Sequence, residues 1–246
     1  MIKVEGLTKV YDSDIRAVND ISFTIPKGKI ACIIGTSGCG KTTTLKMINR
    51  LIEPSEGKIW IDDKECHEMD AVHWRRRIGY VIQKAGLLPH LTVRENIELL
   101  AKIIKRPKRE RLKRSNELLE MIDLDPSEFA TRYPIELSGG QQQRVGIARA
   151  LMEDPPVLLM DEPFGALDPI TRNTMHEEVL HLNSKLGKTF VIVTHDMEEA
   201  FKLGDEILLM DKGEIVQKGS KEDFINHPKN DFVEAFVTQQ LNRDNL

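Results

Sequence analysis

The 246-residue sequence predicts an α/β fold: a mainly parallel sheet, an antiparallel β segment before it and an all-helical insertion within it. Three observations carry that reading. Residues 1–30 alternate apolar and polar, as in IKVEGLTKVY and AVNDISFTIPKG, the period-two pattern of short half-buried strands. KIACIIG (Lys29–Gly35) is instead a continuous apolar run, as expected of a strand buried on both faces. After a helical middle the strands return, alternating with helices, which implies a parallel sheet.

The elements follow in order. A glycine-rich loop leads from KIACIIG into TTTLKMINRLI, where Leu45, Ile48, Leu51 and Ile52 recur at helical spacing. EPSEG stops that helix, and KIWIDD reads as a further strand. From about 84 to 136 the pattern is mostly helical, with TVRENIELLAKII and RERLKRSNELLEMIDL broken at Pro107. VLLMDE, a helical stretch, TFVIVTHD and EILLMDKGEIVQKG complete the chain's regular structure. No internal repeat, low-complexity segment or long linker interrupts it.

Composition narrows the function. The net charge of −4 and the 5% aromatic content argue against a dedicated nucleic-acid surface. Cys32, Cys39 and Cys66 show no CxxC spacing, so reduced thiols are expected rather than a disulfide frame or a zinc site. The N-terminus lacks the apolar stretch of a signal peptide. No apolar run approaches the ~18–20 residues that span a bilayer, so a membrane role would come through a partner. The basic run KIIKRPKRERLKR (Lys102–Arg114) has two readings: a solvated helix face, or attraction to an anionic leaflet or acidic partner.

GTSGCGKT (Gly35–Thr42) fits G-x-x-x-x-G-K-[ST] in full, with a buried strand before it and a helix after it. Gly35, Gly38 and Gly40 let successive backbone N–H groups aim at one point, and the helix N-terminus adds its dipole. Lys41 brings a charge to the β- and γ-phosphates, and the Thr42 hydroxyl can ligate Mg²⁺. Cys39, inside the loop, is expected to be a small side chain usable as a chemical probe. Asp161 and Glu162 end an apolar strand, where ligands of parallel sheets bind. Asp161 is placed to hold Mg²⁺, and Glu162 to polarise an attacking water. His195 and Gln83 also follow apolar stretches; each is open to a structural or a functional reading. LSGGQ, opening a helix at Ser138, looks like a second anion site: an N-cap serine and two glycines.

GTSGCGKT, Gln83, LSGGQ, LLMDE, GALD and His195, in this order, resemble the nucleotide-binding subunit of an ABC (ATP-binding cassette) transporter over residues 2–235. The resemblance implies a P-loop NTPase (RecA-like) core, 1–83 and 151–246, with the N-terminal antiparallel β subdomain and a helical subdomain at 84–150. It implies ATP contacts from Tyr11 and from Gly35, Thr36, Ser37, Gly38, Cys39, Gly40, Lys41, Thr42 and Thr43. A Tyr11 packed in the core is the rival reading. Ser138, Gly139, Gly140 and Gln141 would contact ATP held by a second copy. Mg²⁺ would be met by Thr42, Gln83 and Asp161, with Lys41, Gln83, Glu162 and His195 catalytic and Asp168 at the dimer interface. Thr36 and Gly165 stand where such proteins often have Pro and Ser. Partners implied are a second cassette, transmembrane permease subunits and, indirectly, an extracytoplasmic solute-binding protein, with no nucleic acid. The location implied is the cytoplasmic membrane face. RRRIGYVIQKAGLLPHLTVRENI and LKMINRLIEPSEGKIWIDD look most like uptake systems for quaternary-amine osmoprotectants (glycine betaine, carnitine, choline). A polar amino acid as solute, or a soluble ATPase acting on nucleic acid, are the alternatives.

Overall fold

The structure is a computed structural model that describes residues 1–12, 15–83 and 85–241; Lys84, where the helical insertion is expected to begin, lies outside them. The chain opens with β1 (Ile2–Tyr11), β2 (Ile15–Ile25), β3 (Ile30–Gly35), α1 (Lys41–Ile48), β4 (Glu56–Ile61), β5 (Lys64–Glu65), α2 (Ala71–Arg76) and β6 (Ile78–Val81). Helices α3 (Val93–Ile103), α4 (Lys108–Met121), α5 (Pro126–Phe129) and α6 (Gly139–Ala150) follow. Then come β7 (Val157–Asp161), α7 (Pro169–Leu186), β8 (Thr189–Val193), α8 (Met197–Leu203), β9 (Glu206–Asp211), β10 (Glu214–Gly219), α9 (Lys221–Asn226) and α10 (Asp231–Leu241).

Two sheets result. The antiparallel one has the order β2-β1-β4-β5, and the other β10-β9-β3-β8-β7-β6. In the second sheet β9, β3, β8, β7 and β6 run parallel, and β10 closes the edge as an antiparallel hairpin on β9. The all-apolar strands have a direct cause. Ile30, Cys32 and Ile34 of β3 enter one core with the helices, whereas Ala31 and Ile33 enter a second core against the antiparallel sheet. Leu158 and Met160 of β7, and Phe190 and Ile192 of β8, take the first side, and Val157, Leu159, Val191 and Val193 the second. Each strand alternates between two apolar environments, so no position calls for a polar residue.

Helix ends match the sequence chemistry in the insertion. Thr92 and Glu95 form a capping box on α3, and Ser138 and Gln141 one on α6. The basic run spans the end of α3 and the first half of α4. Arg106 pairs with Glu153 at 2.8 Å, Arg111 with Glu98 at 3.2 Å, and Lys113 and Arg114 with Glu117 at 3.9 and 3.4 Å, so four of its cations are paired within the fold. Among the described residues no helix is long and apolar enough to cross a membrane.

One helix departs from expectation. α1 stops at Ile48 rather than running to Ile52, and Leu51 is half exposed. The cause is α2, which the sequence pattern did not reveal. The indole N–H of buried Trp74 donates to the Ile48 carbonyl at 2.9 Å, and the Arg75 guanidinium to the Arg50 carbonyl at 2.8 Å. Arg50 itself turns into the left-handed region at φ 52°. Side chains from α2 thus take carbonyls that another helical turn would need. Trp74→Phe should strand the buried Ile48 carbonyl and lower unfolding stability by about 1–3 kcal/mol. Urea denaturation followed by circular dichroism checks this; an unchanged midpoint would remove Trp74 as the cap.

Candidate active site

The parallel register brings the chemistry to one edge. Asp161 of β7 lies beside Val193 of β8, which lies beside Ile33 of β3. The loops that leave these strands carry Gly35 to Gly40, Glu162 and His195. Together with Ala17 they enclose a cleft of about 320 Å³, lined by Ser37, Gly38, Gly40, Lys41, Thr42, Thr43, Glu162 and His195. A larger groove of about 600 Å³ between β2 and β10 contains none of these residues.

The glycine loop is built as its sequence requires. Gly35, Gly38 and Gly40 all have positive φ, at 147°, 78° and 106°. A Cβ at Gly35 would sit 2.0 Å from the Met210 carbonyl oxygen, so no other residue fits between the loop and β9. The Lys41 ammonium donates to the carbonyls of Gly35 at 2.8 Å and Thr36 at 2.9 Å. The Thr36 hydroxyl donates to Asp211 at 3.4 Å. Cys39 is only 3% exposed, and burial pushes its thiol above the ordinary range, with the Lys41 charge opposing in part. The expectation of an accessible probe is therefore corrected: the thiol faces inward.

The acidic pair is asymmetric. The Thr42 hydroxyl donates to Asp161 at 3.0 Å, joining the start of α1 to the end of β7. Burial pushes the Asp161 carboxyl up from its usual range; the Thr42 bond pulls it down, the Glu162 charge pushes it up, and Lys46 and the Tyr80 hydroxyl pull it down. Tyr80 was not legible as a site residue. It sits inside IGYV on β6, and only the pairing of β6 with β7 brings it to Asp161. Glu162 turns at φ 45°, a left-handed conformation that costs a non-glycine residue roughly 1–2 kcal/mol. That turn presents Glu162 Oε2 to two partners: the Gln83 amide donates to it at 2.9 Å, and His195 Nδ1 lies 3.4 Å away. Gln83, Glu162 and His195 are thus brought together at one carboxylate oxygen.

The remaining predicted residues stand apart from the cleft. Tyr11 is 42% exposed, with the Lys9 ammonium 5.2 Å over its ring, so the core-packed reading fails. The Ser138 hydroxyl accepts the Gln141 N–H at 3.3 Å, and the Gln141 side chain accepts the Ser138 N–H at 2.9 Å. Ser138 and Gly139 are exposed, whereas Gly140 is buried; a Cβ there would meet Thr171 at 2.6 Å, so this glycine answers an internal contact. None of these four lines the cleft. At the other end of α6, Arg149 donates to the carbonyls of Ala85 and Gly86 at 2.6 and 2.7 Å, gripping the segment after Gln83. Asp168 caps α7, accepting the Thr171 N–H at 3.1 Å, and hydrogen bonds from the Thr171 hydroxyl and then its N–H hold the carboxyl below the usual range.

A family profile described as "ABC transporter" matches residues 18–165. The chain belongs to the ABC transporter family. Bacillus subtilis OpuCA, a glycine betaine/carnitine/choline transport ATP-binding protein, is 54% identical over 240 residues, 98% of this chain and 63% of OpuCA. The chain thus spans less than two thirds of that relative. Escherichia coli YehX, a glycine betaine uptake system ATP-binding protein, is 46% identical over 96% of this chain and 76% of its own length. A solved dimeric ATP-binding cassette in a post-hydrolysis state, bound to ADP and Pi, superposes with a TM-score of 0.78 at 39% identity, covering 89% of this chain and 98% of that one. The ABC cassette fold predicted from sequence is therefore the fold observed.

Two outcomes follow from the site. All three cysteines are buried, with Cys66 pushed up to about 11 by burial, so native protein should react with a thiol reagent far more slowly than unfolded protein. Rapid native labelling at Cys39, located by mass spectrometry, would contradict its buried placement. Tyr80→Phe removes a donor that favours the charged form of Asp161, so the Asp161 pKa should rise further. Loss of nucleotide binding on acidification should then begin at a higher pH than in the unsubstituted chain, as read by fluorescent-nucleotide titration. An unchanged pH profile would remove Tyr80 from the site.

Proposed function

We propose that the chain is the ATP-hydrolysing subunit of an importer for quaternary-amine osmoprotectants, acting as a head-to-tail dimer on partner permease subunits. The observation that carries the ATPase reading is the joint placement of Lys41, Thr42, Asp161, Glu162 and His195 around one cleft. Gly35 to Thr43 wrap the phosphates, with Lys41 exchanging loop carbonyls for phosphate oxygens, and the exposed Tyr11 ring stacks on the base. Glu162 is the general base, and His195 holds the base and the γ-phosphate in register. The acidic and hydroxyl oxygens of Asp161 and Thr42, joined by the Gln83 carboxamide oxygen, are hard donors suited to Mg²⁺. Among the described residues no three His, Cys, Asp or Glu side chains gather to hold a metal, which suits an ion carried mainly by phosphate and water. When bound, Mg²⁺ neutralises charge on the β- and γ-phosphates.

The dimer is supported by the signature helix. Ser138, Gly139, Gly140 and Gln141 open α6 away from their own cleft. A helix N-terminus favours an anion, and a two-fold pair can bring each one to the other copy's γ-phosphate, with Asp168 at the same interface. ATP then completes both sites, and hydrolysis removes the group that joins them. The division into core (1–83, 151–246) and helical unit (84–150) belongs to this reading, as do the cytoplasmic membrane face and an indirect solute-binding protein. The solute class is supported by the names of the relatives, since the cleft holds no group that would meet it.

Glu162→Gln tests the assignment. It should lower steady-state ATP hydrolysis by about 100-fold or more, retain nucleotide binding, and yield a dimer on gel filtration only with ATP. Retained turnover would sink Glu162 as the base; a monomer at saturating ATP would sink the shared site.

A further inference from the structure

Behind His195 lies a group of charged side chains that nucleotide binding does not use. Glu199 of α8 is 5% exposed, and a buried carboxylate needs compensation. Its Oε2 accepts the Thr194 hydroxyl at 2.6 Å. Its Oε1 faces two residues of α7: Arg172 Nε at 3.8 Å and His176 Nε2 at 3.6 Å. Arg172 reaches further. Its Nη1 lies 3.6 Å from Asp196, and its Nη2 donates to the Leu167 carbonyl at 3.2 Å. His176 packs edge-on against Phe164, with ring centroids 4.6 Å apart.

The placement of these contacts matters more than their number. Thr194 and Asp196 flank His195 on either side. Phe164 and Leu167 belong to the loop that runs from Glu162 to Asp168. The group therefore touches both loops that present the reacting side chains, and neither Arg172 nor Glu199 lines the nucleotide cleft itself. Its ionic contacts are long: Arg172 Nε and both His176 ring nitrogens are buried without a hydrogen-bond partner among the described residues. A small cavity of about 30 Å³ is lined in common by Glu162, His195, Arg172 and Glu199. The group is thus held by charge, with room to tighten. A pair serving stability alone would be as well replaced by apolar side chains.

We propose that Arg172 and Glu199 are positioning residues of the hydrolytic site. The pair holds the His195 loop against Glu162 and carries to it any shift of the loop that ends at Asp168. Closure of a second copy on Asp168 would in this way set the pose of His195. The proposal rests on the ATPase reading given above.

The test uses the full chain and conservative substitutions. Arg172→Lys and Glu199→Gln should each lower kcat by about 10- to 100-fold, the loss expected when a reacting group is displaced, with KM for ATP within about 2-fold. Combined with His195→Ala and followed by single-turnover hydrolysis, either should slow the reaction by less than about 3-fold further, because it acts through His195. The His195 ring resonances in NMR should shift in both variants, while those of His67, paired with Glu53 elsewhere, stay in place. The double variant Arg172→Met with Glu199→Gln removes both charges at once and should fold yet keep the kinetic loss. Losses that multiply with His195→Ala, a rise in KM alone, unmoved His195 resonances, or full activity in the double variant would each overturn the proposal. An unsubstituted chain that does not hydrolyse ATP would refute the ATPase reading instead, and the His195 resonances would still decide the brace.

Discussion

The parallel register of β3, β8 and β7 is the constraint on which the rest depends. Ile33 opposite Val193, and Val193 opposite Asp161, align three strand ends on one edge. Slippage by one residue would exchange the two apolar faces of a strand and move its polar end group away from the cleft. The two cores enforce the alignment, because each strand sends alternate residues into each of them. Placing Thr42 within 3.0 Å of Asp161 is therefore a consequence of packing far below the site. The chemistry sits in loops, but its precision comes from strands buried on both faces.

The same division of labour explains α6. Its N-terminus is exposed and capped by Ser138, and its C-terminal turn is anchored through Arg149 to Ala85 and Gly86. The Arg149 guanidinium is largely desolvated, and burial pulls its pKa down. Two carbonyls in short contact offset that cost. One rigid helix thus joins the segment after Gln83 to the signature residues. Displacement at one end is passed to the other without a hinge between them.

Legibility followed sequence distance. GTSGCGKT and LSGGQ were readable because their conformational demands fall on consecutive residues: positive φ at Gly35, Gly38 and Gly40, and a capping box across Ser138 and Gln141. Asp161 and Glu162 were readable because an apolar strand precedes them. Tyr80, Arg149, Arg172 and Glu199 were not, since each acquires its role from a partner in another element. The end of α1 was hidden for the same reason: Trp74 and Arg75 lie some two dozen residues downstream of the carbonyls they take, on a helix whose pattern is too short to declare itself. Cys39 shows the converse limit. Its motif position was plain, yet burial, which no local pattern reports, sets its reactivity.

Three groups that the proposed ATP hydrolysis would use are already bonded within the site. Lys41 is bonded to loop carbonyls, Thr42 to Asp161, and Glu162 to Gln83. Leaving them unpaired would cost about 1–3 kcal/mol for each buried group. Exchanging one partner for another costs far less, because the bond lost is replaced by a bond gained. A triphosphate entering the cleft therefore trades contacts instead of creating a site from unsatisfied parts. Glu162 is where this matters most. The Gln83 amide donates to Oε2, and His195 Nδ1 approaches the same oxygen at 3.4 Å, so one carboxylate oxygen gathers two neighbours. The left-handed turn at Glu162 is what presents that oxygen to both.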